Sequence, residues 1–188
     1  ILFTNIPFFF FVPYSIELVL SFFAFVFFSS FYSAKPIRAK AKPVIDSLFS
    51  AGHYVATGVF GYYLAGGVDF PTVGVIAGML WAVAMHAYSA VPDIKADLGA
   101  GLHTIAIMIG EKRTIALCWF FYALADYLVR DIIPVASVIG VIAFSYFMWR
   151  STKAQTPEAL FKLYTYFPLI NTIIGALVSM ELFAKNIW

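Results

Sequence analysis

Residues 15–32 read SIELVLSFFAFVFFSSFY, eighteen consecutive positions with Glu17 as the sole acidic or basic residue. The apolar residues run on without the alternation of a half-buried strand. An apolar run of this length matches the hydrocarbon core of a bilayer when it is helical. In lipid the backbone amides must find partners inside the chain, so spanning structure is a helix or a closed barrel. The continuous runs here select helices.

The same reading extends in both directions. Upstream, Pro13-Tyr14-Ser15 breaks the apolar stretch and leaves a partial span at about 1–12. Downstream, apolar segments recur at about 45–66, 72–91, 114–129, 132–149 and 165–184, giving about seven in all. The segment 45–66 is rich in small residues (Gly52, Gly58, Gly61, Gly66) that permit close helix contact in lipid. Connections carry the turn and breaker residues: Pro36 and Pro43, Gly66-Gly67 to Pro71, Gly110, and Arg130-Asp131, with a polar loop expected over 150–163. The whole of 188 residues, 62% hydrophobic and 12% charged, is expected to form one all-α polytopic transmembrane helix bundle and a single domain over 1–188.

Charge placement supports the alternation. Loops on one side of the spans hold Lys35, Arg38, Lys40, Lys42, Lys95, Lys112, Arg113, Arg150, Lys153 and Lys162, and the other side holds Arg130 and Lys185. The ten-to-two division predicts that the first side is cytoplasmic in a cell membrane. The single cysteine, Cys118, excludes an intrachain disulfide and any CxxC site. No signal peptide is read, and because Ile1 opens within an apolar run the natural protein is expected to start further upstream. No nucleic-acid partner is expected, and the oligomeric state is left open.

Two loops on the basic side carry chemistry. Residues 93–104 read DIKADLGAGLHT, a DxxxDxxxGxxT pattern. On a helix Asp93 and Asp97 share one face, where they repel unless a cation lies between them. Mg²⁺ is suited to such a pair, taking one or two carboxylates and filling its remaining positions with phosphate oxygens and water. As a bland alternative, the acids belong to a solvated turn at the membrane edge. Residues 32–46 read YSAKPIRAKAKPVID. Lys35, Arg38, Lys40 and Lys42 form an anion site, although loops of this kind also serve as ordinary topology signals. Tyr32, Ser33 and Asp46 are not needed for a topology signal.

Carboxylates for Mg²⁺ and cations for diphosphate, at the mouth of an apolar bundle, suit a substrate with a diphosphate head and a hydrocarbon tail. Metal and cations would stabilise the departing diphosphate, and the helices would shield an allylic cation from water. Among other polar groups, His53, His86 and His103 lack ligand spacing, and His86 is retained because it precedes the Asp pair. Glu17, Asp69, Asp126 and Glu181 are assigned to an outer interface, and Asn171 to the interior.

The paired loops resemble the UbiA-type prenyltransferase superfamily. The stretch from His86 through Pro92-Asp93-Ile94-Lys95-Ala96-Asp97 to Gly101 and Thr104 is similar to its lycopene elongase and carotenoid prenyltransferase branch. The resemblance implies a nine-helix bundle, of which the segments here would be helices three to nine. It also implies Mg²⁺-dependent transfer from a polyprenyl diphosphate to a hydrophobic acceptor. Asp93 and Asp97 would hold the metal. Tyr32 and Arg38 would join them as catalytic residues. Ser33, Lys35, Lys40, Lys42, Asp46, Lys95 and Asn171 would contact substrate. The resemblance implies a first Asp-rich motif as well, an NDxxD on the second helix. No Asp precedes Asp46, so the chain alone is expected to be inactive.

A carotenoid acceptor is preferred over quinone precursors and other lipids. A CDP-alcohol phosphotransferase would need a DGxxAR segment where AMHAYSAVP stands at 84–92. The alternative of another class is a non-catalytic transporter or scaffold fragment; a transporter would show polar groups near the membrane midplane and bind no prenyl diphosphate.

Overall fold

The computed structural model describes residues 6–10 and 15–185, all of whose regular structure is helical. Six long helices dominate: α1 (Ile16–Ser33), α2 (Ile45–Leu64), α3 (Thr72–Ser89), α6 (Glu111–Val129), α7 (Pro134–Thr152) and α9 (Phe167–Ala184). Three short ones connect them: α4 (Ile94–Gly99), α5 (Ile105–Ile109) and α8 (Pro157–Tyr164). The six correspond to the six full segments read from the sequence. The partial segment at 1–12 lies largely outside the described residues; Ile6–Phe10 form a 3₁₀ turn.

Four stretches are long and apolar enough to cross a membrane: α1, α3, α7 and the run Pro157–Ala184 that contains α9. The remaining two long helices are comparable in length but carry more polar side chains, including Asp46 and His53 on α2 and Glu111, Lys112, Arg113 and Asp126 on α6. The number of spans read from composition therefore rests on these two helices being carried by packing against their neighbours.

The packing is sequential. α1 lies on α2, α2 on α3, α3 on α6, α6 on α7 and α7 on α9. Close approach follows from side-chain size. A Cβ on Gly52 of α2 would come 2.7 Å from the Phe28 ring of α1. The buried face of α3 is alanine-rich, with Ala77, Ala82, Ala84 and Ala87. Larger residues fill the centre between α3, α6, α7 and α9, where Tyr88, Ile115, Cys118, Tyr122, Phe144 and Met148 are almost wholly buried. Tyr122 stacks flat on Phe144 with centroids 3.9 Å apart. Large apolar side chains such as Leu20, Phe23, Ile142 and Phe183 stay exposed on the outer faces, as expected where the surrounding solvent is hydrocarbon.

The loop expected over 150–163 is corrected by α8. Thr156 supplies the N-cap, accepting the Ala159 N–H at 3.2 Å, and Pro157 follows at the first helical position. This is a helix-start signal, and it overrides the polar composition. Leu160 buries the inner face of α8.

Because the long helices alternate in direction, the loops 34–44, 90–110 and 153–156 gather at one end of the bundle. Tyr88 and Ser151, at the ends of α3 and α7, share a 2.8 Å hydrogen bond there. At the opposite end Glu181 of α9 accepts the N–H groups of Val135 (3.2 Å) and Ala136 (2.9 Å), capping α7. Lys185 donates to the Ile132 carbonyl there.

Candidate active site

The chain from α3 to α6 must turn at the membrane edge, and it does so through two short helices. Asp93 sits at the N-cap of α4, and the Asp97 N–H donates to the Asp93 carbonyl at 2.8 Å. The two carboxylates thus occupy one helical turn, as the spacing predicts. Asp93 is exposed and Asp97 half-buried. Partial burial raises the Asp97 carboxyl above its ordinary range, and the neighbouring Asp93 charge adds to the rise. Gly101 turns the chain at φ +67°, a conformation that favours glycine.

The second loop is built over Ala39, which is fully buried between the ends of α1 and α2. Around it the backbone takes positive φ at Arg38 (47°) and Val44 (69°), conformations that carry strain for non-glycine residues. This anchoring leaves the polar side chains outward: Ser33, Lys35, Arg38 and Lys42 are exposed and Lys40 half-buried. Among the described residues the ion pairs are Arg130–Asp131 and Glu181–Lys185, both at the opposite end. The loop cations are in neither, so their charge is available to an anion.

Three contacts join the loops. The Tyr32 hydroxyl, at the end of α1, hydrogen-bonds Nε2 of His86 on α3 at 3.0 Å. Ser47 of α2 reaches Nδ1 of the same ring at 3.2 Å. A neutral imidazole has one N–H, so one of these hydroxyls donates while the other accepts. Asp46 is wholly buried, and its Oδ2 accepts the N–H of Ile105 at 3.3 Å. Asp46 therefore ties the start of α2 to the start of α5, beside Thr104 of the DxxxDxxxGxxT pattern.

Lys95 is exposed on α4 between the two Asp residues. Other candidates fall elsewhere. Asn171 lies half-buried on α9, its Nδ2 donating to Phe167 O at 2.8 Å, while Oδ1 is buried without a partner. His53 hydrogen-bonds Phe49 O at 3.4 Å, and His103 is exposed. Ser47 was not among the residues expected from sequence. It is separated from His86 by 39 positions, and an isolated Ser in an apolar helix gives no signal of such a partner.

The donor set can be tested against Mg²⁺. Among the described residues no group of three or more His, Cys, Asp and Glu gathers as a metal cage. Two carboxylates on one turn, with cations on the facing loop that join neither ion pair among the described residues, fit a hard cation that shares its coordination with phosphate and water.

Comparison with known proteins identifies the family. Residues 6–171 match the UbiA prenyltransferase family, and the chain belongs to that family. Within it the chain fits the carotenoid prenyltransferase branch. It is 35% identical over 153 residues to a lycopene elongase/hydratase of Haloarcula japonica, covering 79% of this chain and 49% of the relative. It is 34% identical over 149 residues to that of Halobacterium salinarum, covering 79% and 53%. The chain thus spans about half the length of these curated relatives. A solved UbiA homolog from Archaeoglobus fulgidus, bound to GPP and Mg²⁺, superposes with TM-score 0.64 at 19% identity, covering 89% of this chain and 64% of that one. The protein is an integral membrane prenyltransferase-family chain.

Proposed function

We propose that this chain contributes the second carboxylate motif and the basic loop of a Mg²⁺-dependent prenyltransferase. The enzyme would move a prenyl group from a polyprenyl diphosphate to an apolar acceptor of the carotenoid class. The observation that carries the reading is the Tyr32–His86 hydrogen bond, seconded by the bond from the Ile105 N–H to Asp46. It brings the basic loop and the DxxxD turn to one locus at one end of an apolar bundle.

Asp93 and Asp97 would hold Mg²⁺, and the bound ion would supply Lewis-acid stabilisation to the leaving diphosphate. Arg38 is the residue suited to bidentate phosphate contact, with Ser33, Lys35, Lys40 and Lys42 on its own loop and Lys95 on α4. His86 and Ser47 fix Tyr32, and Asp46 fixes the mutual position of the loops. The apolar helix walls exclude water from the hydrocarbon tail and from the cationic carbon left when the diphosphate departs. The excess of Lys and Arg at this end supports a cytoplasmic orientation.

The first Asp-rich motif implied by the family resemblance has no match in residues 1–188. Turnover is therefore expected from the complete natural protein and not from these residues alone. The test is transfer from a labelled prenyl diphosphate to lycopene by the complete protein in lipid nanodiscs. Labelled product should require Mg²⁺ and should be lost with Asp97→Asn. Transfer that persists without divalent metal would overturn the reading. Transfer to a quinone precursor but not to lycopene would reassign the acceptor.

A further inference from the structure

Helix α8 ends on Tyr164, one helical turn after Leu160. Residues four apart share a helix face, and both side chains here turn inward. Leu160 is 2% exposed and belongs to the central buried cluster, and Tyr164 packs against that cluster. The Tyr164 ring stacks on Phe167 of α9 with centroids 5.9 Å apart and lies 6.1 Å from the ring of Tyr88 on α3. Phe167 stacks in turn on Phe147 of α7 at 5.6 Å. The aromatic contacts hold Tyr164 in place against two long helices.

The same cluster anchors the chain that leads into the DxxxD turn. Tyr88 stands in the last turn of α3. Val91 is buried in the cluster, and Ile94 packs against it. Asp93 stands between these two anchors and is itself exposed. Tyr164 is therefore packed against the segment that presents Asp93.

The two tyrosines of this cluster use their hydroxyls differently. That of Tyr88 is buried and bonded to the Ser151 Oγ at 2.8 Å. That of Tyr164, on a half-buried residue, makes no hydrogen bond among the described residues. The Asp93 carboxylate accepts none among them either. A tyrosine commonly buries its ring and keeps the hydroxyl at its tip for a partner. A carboxylate that binds a metal needs an outer hydrogen bond to orient it, and loss of such a partner typically costs about 10–100-fold in metal affinity.

We propose that Tyr164 is a positioning residue of the metal site: its hydroxyl donates to the Asp93 carboxylate and holds it in the orientation that Mg²⁺ requires. The carboxylate has acceptor sites enough to serve both the hydroxyl and the ion. Helix α8 then does for the DxxxD turn what His86 does for Tyr32 on the basic loop. The proposal rests on the reading of Asp93 and Asp97 as the residues that hold Mg²⁺.

The test titrates Mg²⁺ into the complete protein in lipid nanodiscs and reads the binding of labelled geranyl diphosphate. Tyr164→Phe keeps the ring and its contacts and removes only the hydroxyl. It should raise the Mg²⁺ concentration for half-maximal binding by about tenfold, with affinity at saturating Mg²⁺ restored to within about twofold. The thermal midpoint should stay where it is. Tyr88→Phe breaks the bond to Ser151; it should lower the thermal midpoint and leave the Mg²⁺ requirement unchanged. An unchanged Mg²⁺ requirement in Tyr164→Phe would overturn the proposal. So would an equal rise in Tyr88→Phe, which would make the effect one of packing. Weak binding that saturating Mg²⁺ does not restore would also overturn it, because the hydroxyl would then act on the diphosphate and not through Asp93. Binding to the unmodified protein that needs no Mg²⁺ would instead overturn the metal reading itself, and this proposal with it.

Discussion

The Tyr32 hydroxyl and Nε2 of His86 lie 3.0 Å apart and join positions separated by 54 residues. The other ring nitrogen is taken by Ser47, so the imidazole is held on both sides and Tyr32 inherits a fixed orientation. Residues that act through one another give non-additive effects. Tyr32→Phe and His86→Ala, each in the complete protein, should therefore lower kcat/KM for prenyl transfer by about tenfold. The double variant should be no worse than the poorer single. Effects that multiply would show that the pair does not act as a unit.

Asp46 predicts a stability effect. Its removal leaves the Ile105 N–H unpartnered in a buried position. Asp46→Ala should cost about 1–3 kcal/mol, read as a lower midpoint of thermal unfolding in detergent. An exposed control, Asp131→Ala, should move the midpoint little, since exposed ion pairs of the Arg130–Asp131 kind contribute about 0–1 kcal/mol. Equal shifts in the two variants would contradict the role given to Asp46.

Arg38 separates charge from conformation. Its φ of 47° lies in the left-handed region, where glycine carries no steric penalty. Arg38→Gly should be more stable than Arg38→Ala by about 1 kcal/mol, yet both should lose affinity for geranyl diphosphate in the presence of Mg²⁺. Full affinity in Arg38→Gly would remove the guanidinium from the anion site.

Cys118 offers a check on the packing of α6. It is fully buried, and buried structural thiols are inert. A maleimide reagent should label the folded protein very slowly and the SDS-denatured protein completely. Rapid labelling of the folded state would contradict the packing around α6.

The helices were legible because composition alone determines them: the apolar runs of α1, α3, α7 and α9 have the length that a bilayer requires. The Asp93–Asp97 turn was legible from spacing, since one helical turn is a local property. What escaped was tertiary. Asp46 reads as a substrate residue, but its observed partner is the main-chain N–H of Ile105, and a backbone amide leaves no mark in a sequence. His86 lacked metal-ligand spacing because its partners are the hydroxyls of Tyr32 and Ser47. α8 was missed because its polar composition outweighed the Thr156-Pro157 start signal. Asp126 reads as a residue that could sit near an outer interface, and its close approach to Gly140 of α7 emerges only when the helices are packed together.

The central claim is that the DxxxD turn and the basic loop together bind a metal-complexed prenyl diphosphate. The most direct test is calorimetric titration of geranyl diphosphate into the complete protein, with and without Mg²⁺, beside Asp97→Asn. Binding that needs Mg²⁺ and falls by at least about tenfold in Asp97→Asn, with the melting temperature unchanged, is the predicted result. Equal affinity with and without Mg²⁺, or in the protein and its Asp97→Asn variant, would contradict it.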